Sequence, residues 1–243
     1  MSRILAVDSL PALRTLLMTE GPDSWPLWTP EEIANILRLC EALWWYEKPI
    51  SPDRPHSIMR KGNHTDFFAD CMAALKETSV LTALTHQIHL RCMLYASRMG
   101  PNDWVVGAER AGAPIAQEMA RQIGCRHATA EKDAEGNPTV FSRFEIADDE
   151  QVLLVNDLLS HADGSTYMSR MAVERACPGA VILPIAMHLV NRSGKEALVD
   201  GTPVMALLNF AAREMPADDC EYCQAGSPAM KFKPNRKRFL DSA

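Results

Sequence analysis

Four apolar residues run into a polar pair in Val152-Leu153-Leu154-Val155-Asn156-Asp157, and a loop of small and polar residues follows at Ser160-His161-Ala162-Asp163-Gly164-Ser165-Thr166. A buried parallel strand that delivers polar groups to a helix N-terminus has this layout, and in open α/β sheets ligands bind beyond the carboxyl ends of such strands. Free N–H groups of the turn and the helix start would take a phosphate. Asp157 would hold sugar hydroxyls or a divalent cation, because a hard metal takes carboxylate and phosphate oxygens together. The chemistry implied is one ligand with phosphate, ribose and metal. Taken alone, the stretch also suits an ordinary strand-to-helix connection.

The stretch resembles the 5-phosphoribosyl-1-pyrophosphate (PRPP) motif of type I phosphoribosyltransferases. Asn156 stands where that family has an acidic residue, and residues 160–166 replace a shorter Thr- and Gly-rich loop. Other segments fall in the order of the orotate phosphoribosyltransferase family. The run from Arg60 through Asn63, His64 and Asp66 to Phe67 and Phe68 is similar to the family's base-pocket segment. Val105 to Pro114, with Arg110, Ala111 and Gly112, looks like the strand and small-residue loop that cradle pyrophosphate, where small residues let backbone N–H groups reach a ligand. Ala130-Glu131-Lys132 and Ser142-Arg143-Phe144 resemble a mobile catalytic hairpin. Val190-Asn191-Arg192 lies where the family has an Asp-Arg pair, and a planar guanidinium suits a carboxylate. Cys220-x-x-Cys223 with Gly226, Pro228 and the basic residues to Arg236 is similar to the tail of one subgroup. The resemblance runs from about Thr29 to Arg236.

The resemblance implies an α/β fold of the type I phosphoribosyltransferase kind: a mostly parallel central sheet flanked by helices, a small hood, and an N-terminal helical extension. It implies transfer of phosphoribosyl from Mg²⁺-bound PRPP to orotate, with Asp157 and Lys132 as catalytic residues and Asp157 on the metal side. PRPP would be held by Asn156, Asp157, Ser160, His161, Ala162, Asp163, Gly164, Ser165, Arg110, Ala111, Gly112, Glu131, Lys132 and Arg143. The base would be held by Arg60, Phe67, Phe68 and Arg192, and the protein would be a homodimer. Two readings stay open beside this one: a phosphoribosyltransferase for another base, and a non-catalytic PRPP- or nucleotide-binding regulator, which Asn156 and the enlarged loop favour.

Composition agrees with these expectations. The chain has 243 residues, 47% hydrophobic, enough for one α/β domain with a sizeable core. A formal net charge of −6 offers no general surface for polyanions, so nucleic acid is not an expected partner. No apolar run approaches the ~20 residues that cross a bilayer, and the first residues lack a signal-peptide pattern, so no membrane association and a cytoplasmic location are expected. Seven cysteines, an odd number, fit reduced thiols better than a disulfide framework.

The elements that must position these residues can be read along the chain. Residues 1–28 form an extension with a short helix at Leu10 to Met18 and an arm containing Trp25 and Trp28, which should pack on its own domain or on a second subunit. Residues 29–215 form the main domain and 216–243 a tail. Thr29-Pro30-Glu31-Glu32 opens a helix with a capping box, expected to continue to about Pro49 with Ile33, Ile36, Leu37, Cys40 and Trp44 as its apolar stripe. Helices are expected at Thr78 to Arg98, Pro114 to Ile123 and Thr166 to Ala176, and strands at Trp104 to Gly107, Val152 to Val155 and Val181 to Val190. This alternation predicts a mostly parallel sheet covered on both faces. Pro184 removes a ladder donor, so a bulge or an edge is expected there. Cys220-x-x-Cys223 is half of a zinc-type ligand set with no second pair after it, which favours a structural turn. The basic residues Lys231 to Arg238 suggest local docking. Asp66 reads as a turn residue, and Asp148-Asp149-Glu150 as a solvated loop.

Overall fold

The computed structural model describes residues 3–46, 49–96, 103–135, 138–140 and 145–242. The first helix, α1 (Leu10–Glu20), buries Leu13 and Leu17. The arm after it packs on the same chain, with Trp25 and Trp28 both buried in the main core. At the second helix, α2 (Pro30–Leu39), the expected capping box is present: Glu32 N–H donates to the Thr29 hydroxyl at 3.3 Å and Thr29 N–H to the Glu32 carboxylate at 2.6 Å. The helix stops at Leu39, well short of Pro49. Glu41 takes a left-handed φ of 54°, with its N–H on Arg38 O and the Ala42 N–H on Leu37 O, which closes the last turn. The bulky run Leu43–Trp45 then forms strand β1, so Trp44 belongs to a strand rather than to a helical stripe.

Short strands β2 (His56–Ile58), β3 (His64–Thr65) and β4 (Phe67–Ala69) follow; β4 pairs antiparallel with β1, and β2 with β3. Helix α3 (Cys71–Leu75) leads to α4 (Thr78–Ala96), which receives the arm. Gln87 on α4 accepts from Trp28 N–H and donates to Pro26 O, each at 2.8 Å, and Arg91 donates to Trp28 O at 2.7 Å. One amide side chain thus clamps both sides of the arm's backbone.

The main sheet alternates with helices as β5 (Trp104–Ala108), α5 (Gly112–Ile123), β6 (Arg126–Lys132), β7 (Pro138–Val140), β8 (Gln151–Leu159), α6 (Ser165–Ala176), β9 (Val181–Asn191) and β10 (Val204–Asn209). Its order is β10-β9-β8-β5-β6-β7, parallel except for β7. Strand alternation sends Leu153 and Val155 into a core with Ile115 and Met119 of α5, and Val152 and Leu154 into a second core with Ala172 and Val173 of α6. Both faces are therefore covered, as parallel sheets require. β9 is an interior strand, and Pro184 is accommodated by the expected bulge: the pairs Val152↔Ile182 and Leu154↔Ala186 bracket three β9 residues against one β8 residue.

Strand β11 (Glu214–Met215) ends the main domain, the tail supplies α7 (Glu221–Gln224), β12 (Ala229–Met230) and α8 (Arg236–Asp241), and a small sheet forms in the order β11-β3-β2-β12. Phe232 and Phe239 are buried beside Trp44, and Arg236 donates to Asp70 at 2.7 Å, which gives the basic tail a local docking role. Two acidic residues read as turn or loop are instead anchors. Asp66 accepts from the backbone N–H and the guanidinium of Arg213, and Glu150 accepts from the Trp104 indole at 2.7 Å and from Ala147 N–H at 2.9 Å. Among the described residues, no helix is long and apolar enough to cross a membrane.

Candidate functional site

β5 pairs with β8 only as far as Gly107↔Val155, while β9 accompanies β8 to Leu159↔Asn191. A crevice therefore opens beside β8 where Asn156 begins. Gly107 and Gly112 close the loop between β5 and α5 on itself. A Cβ at Gly107 would meet Gly112 O at 2.2 Å, and one at Gly112 would meet the Asn156 side-chain oxygen at 3.0 Å. Between them Arg110 is exposed with φ +69°, a strained conformation for a residue with a Cβ and one that clusters at ligand sites.

A cleft of 270 Å³ lies over these strand ends, lined by Ala108, Glu109, Ala130, Glu131, Lys132, Asp163, Gly164, Ser165, Met168 and Ser169. Three separately expected segments thus meet in one place: the loop after β5, the end of β6, and the start of α6. Lys132 is exposed there. No side chain caps the first N–H groups of α6, which leaves the helix N-terminus available to an anion. Gly164 N–H turns back to His161 O at 3.0 Å, and a Cβ at Gly164 would lie 3.0 Å from that same oxygen. Ser160 and Ala162 are half-buried in this turn and His161 is exposed.

Asn156 is buried and turned inward. Its amide donates to Ser165 Oγ at 2.7 Å and Thr166 Oγ1 at 3.2 Å, and its oxygen accepts from Asp157 N–H. It ties the strand end to the helix start. Thr166 Oγ1 in turn lies 2.8 Å from Nε2 of the fully buried His188, whose pKa burial pulls down to about 4. Asp157, half-buried, points to the α3 side, where the Cys71 thiol contacts its carbonyl. Burial raises the Asp157 carboxyl pKa, and the charge of Asp70 adds to that.

The residues expected to hold a base are only partly together. Arg192 is buried with its guanidinium 5.9 Å from the Phe67 ring. It donates to Met59 Sδ at 3.6 Å and forms no ion pair among the described residues. Burial pulls its pKa down, with Glu214 and Asp66 acting the other way. Phe67 is buried in the main core, Phe68 stacks on Phe232 at 4.1 Å, and Arg60 is exposed in a turn. Arg143, with its neighbours Ser142 and Phe144, lies outside the described residues.

Sequence reasoning missed Met168 and Ser169 on the cleft, and His188 beneath it. The α6 pair was accessible in principle, since Ser165 and Ser169 are four apart on one helix face. His188 carried no signal, being a polar residue in an apolar strand.

No protein-family model matches the chain. A curated relative, the orotate phosphoribosyltransferase of Heliobacterium modesticaldum, is 27% identical over 202 residues, 83% of this chain and 96% of the relative. The solved orotate phosphoribosyltransferase of Mycobacterium tuberculosis superposes with a TM-score of 0.52 at 16% identity, over 74% of this chain and 97% of that one. The adenine phosphoribosyltransferase of Saccharomyces cerevisiae gives 0.51 at 19%, over 73% and 99%. The fold is that of the type I phosphoribosyltransferases, shared by proteins named for different bases. The sequence relatives support a phosphoribosyltransferase, hence a pentosyl-transferring enzyme class.

Proposed function

We propose that this chain transfers the 5-phosphoribosyl group of Mg²⁺-bound PRPP to orotate, giving orotidine 5′-monophosphate and pyrophosphate. The observation that carries the reading is the meeting of Glu109, Glu131, Lys132 and the Asp163–Ser165 turn around one cleft at the carboxyl ends of β5, β6 and β8. Each role follows from position. The uncapped α6 start would hold the 5′-phosphate, and the Arg110–Gly112 loop would hold pyrophosphate through its N–H groups. Breaking the C1–O bond creates positive character on the sugar and negative charge on the departing pyrophosphate, and the base nitrogen then bonds to C1 as its proton passes to pyrophosphate or solvent. Lys132 would take up that leaving charge, a task of electrostatic preorganisation.

Mg²⁺ belongs to the substrate in this reading. Asp157 fits it, because burial disfavours the charge of its carboxyl and a bound cation would offset that cost. Arg192, buried and with only a weak sulfur acceptor among the described residues, would face the orotate carboxylate. The homodimer that the resemblance implies is part of the proposal, and sedimentation velocity on the full chain tests it.

A second reading, a PRPP or nucleotide binder without turnover, is favoured by one observation: Asn156 spends its hydrogen bonds inside the protein. Transfer to another base would share every step except the base contacts. The deciding experiment mixes purified protein with PRPP, Mg²⁺ and either orotate or adenine and follows pyrophosphate release. Release with orotate alone supports the proposal, release with adenine alone assigns another base, and PRPP binding with neither supports the second reading.

A further inference from the structure

Away from the cleft, four side chains with ligand chemistry converge between the small sheet and the tail. His56 stands on β2, His64 on β3, and Cys220 and Cys223 bracket the buried Tyr222 at α7. His56 Nε2 lies 3.0 Å from His64 Nδ1 and 3.4 Å from both Cys220 Sγ and Cys223 Sγ, and Cys223 Sγ lies 3.3 Å from His64 Nδ1. All four atoms fall within 4.8 Å of one another. A zinc tetrahedron built from ordinary Zn–N and Zn–S bonds has edges of about 3.4 Å between nitrogens, about 3.6 Å between nitrogen and sulfur, and about 3.8 Å between sulfurs. The observed spacings reach those values by an outward shift of a few tenths of an ångström.

The proton arrangement points the same way. Ser227 Oγ donates its one proton to Arg54 O at 2.6 Å, so at 2.9 Å it can only accept from His56 Nδ1–H. His56 Nε2 is therefore a bare lone pair. Without a cation, two thiols and the His64 nitrogen all crowd this lone pair, and a thiol is a poor donor. With a cation, four lone pairs serve one centre. The Ser227 contact is also the outer hydrogen bond that fixes a ligating histidine's tautomer. Tyr222 stacks on the His56 ring at 5.4 Å and holds its plane.

We propose that His56 Nε2, His64 Nδ1, Cys220 Sγ and Cys223 Sγ bind one structural zinc ion that fastens the base-pocket segment to the C-terminal tail. A two-sulfur, two-nitrogen tetrahedral set selects zinc among divalent metals. All four positions are filled by protein, which marks a structural rather than a catalytic site. His56, His64 and Cys220 are buried while Cys223 is exposed, which gives the ion a path of entry. The sequence hid the set because His56 precedes Cys220 by 164 positions. This inference is independent of the reaction assigned to the cleft.

The test is elemental analysis of the full chain, without a histidine tag, after dialysis. The expected result is one zinc per chain, and a cobalt-exchanged sample with the intense visible bands of a tetrahedral site and a thiolate-to-cobalt charge-transfer band. Cys223→Ser should lose most of the zinc. Ser227→Ala, which keeps all four ligands, should weaken zinc roughly 10- to 100-fold in a chelator competition. Folded protein that holds no zinc after incubation with excess metal, that holds iron or copper in its place, or that gives an octahedral cobalt spectrum would overturn the proposal, and a Cys220–Cys223 disulfide in freshly isolated protein would do the same.

Discussion

Among the described residues, Lys132 is the exposed cation on a cleft whose other charged lining residues, Glu109, Glu131 and Asp163, are acidic. Its removal should therefore act on the leaving group more than on binding of the base. Lys132→Ala is expected to lower kcat roughly 100-fold with a small change in KM for orotate, measured by steady-state kinetics. Arg192→Ala should do the reverse, raising KM for orotate about 10- to 100-fold, as the loss of a charge-assisted bond would. His188 carries a pH prediction. Its folded pKa of about 4 lies below the ordinary 6.5, so its contribution to stability is complete above pH 6.5 and is lost as pH falls through 4. Across that window the loss is roughly 3 kcal/mol, and urea unfolding of His188→Asn should lack that part of the wild-type pH slope. At this scale the sequence showed what types to look for but not which way they face. Asp157 could be placed by its position after a strand and Lys132 by the resemblance of its segment to a hairpin, whereas the inward turn of Asn156 depends on Ser165 and Thr166, nine and ten residues away.

Elements were legible where periodicity and punctuation agreed. The capping box at Thr29, the β/α alternation and the bulge at Pro184 all follow from local chemistry that tertiary packing then kept. The end of α2 was not legible, because Cys40 and Trp44 continue the helical stripe and only the left-handed Glu41 interrupts it. β10 went unread as well, since Val204–Asn209 is short and its partner β9 had to be known first. Two element-scale predictions follow from contacts no periodicity reveals. Gly107→Ala puts a Cβ against the Gly112 backbone, which cannot rotate away, and should destabilise the fold by about 3 kcal/mol in urea denaturation. Gln87→Ala leaves the buried Trp28 N–H without its acceptor and should cost about 2 kcal/mol. It should also speed proteolysis within the first 28 residues.

In the whole molecule, the carboxyl edge of the main sheet carries the cleft, and the tail packs on β4 and the start of α3 through Phe68 on Phe232 and Arg236 on Asp70. The order of the motifs along the chain conveyed the fold, because each β/α unit returns its loop to the same edge and so brings distant segments together. The hood was harder to read: its residues pair with a tail more than 150 positions away, and no local pattern encodes that closure. The central claim is that the cleft is a PRPP site, and calorimetric titration of PRPP with Mg²⁺ into wild type and Lys132→Ala tests it most directly. The account predicts one saturable site per chain, weakened about tenfold in the variant by loss of a single cation–phosphate contact. No saturable binding to folded wild-type protein, or equal affinity in the two proteins, would contradict it.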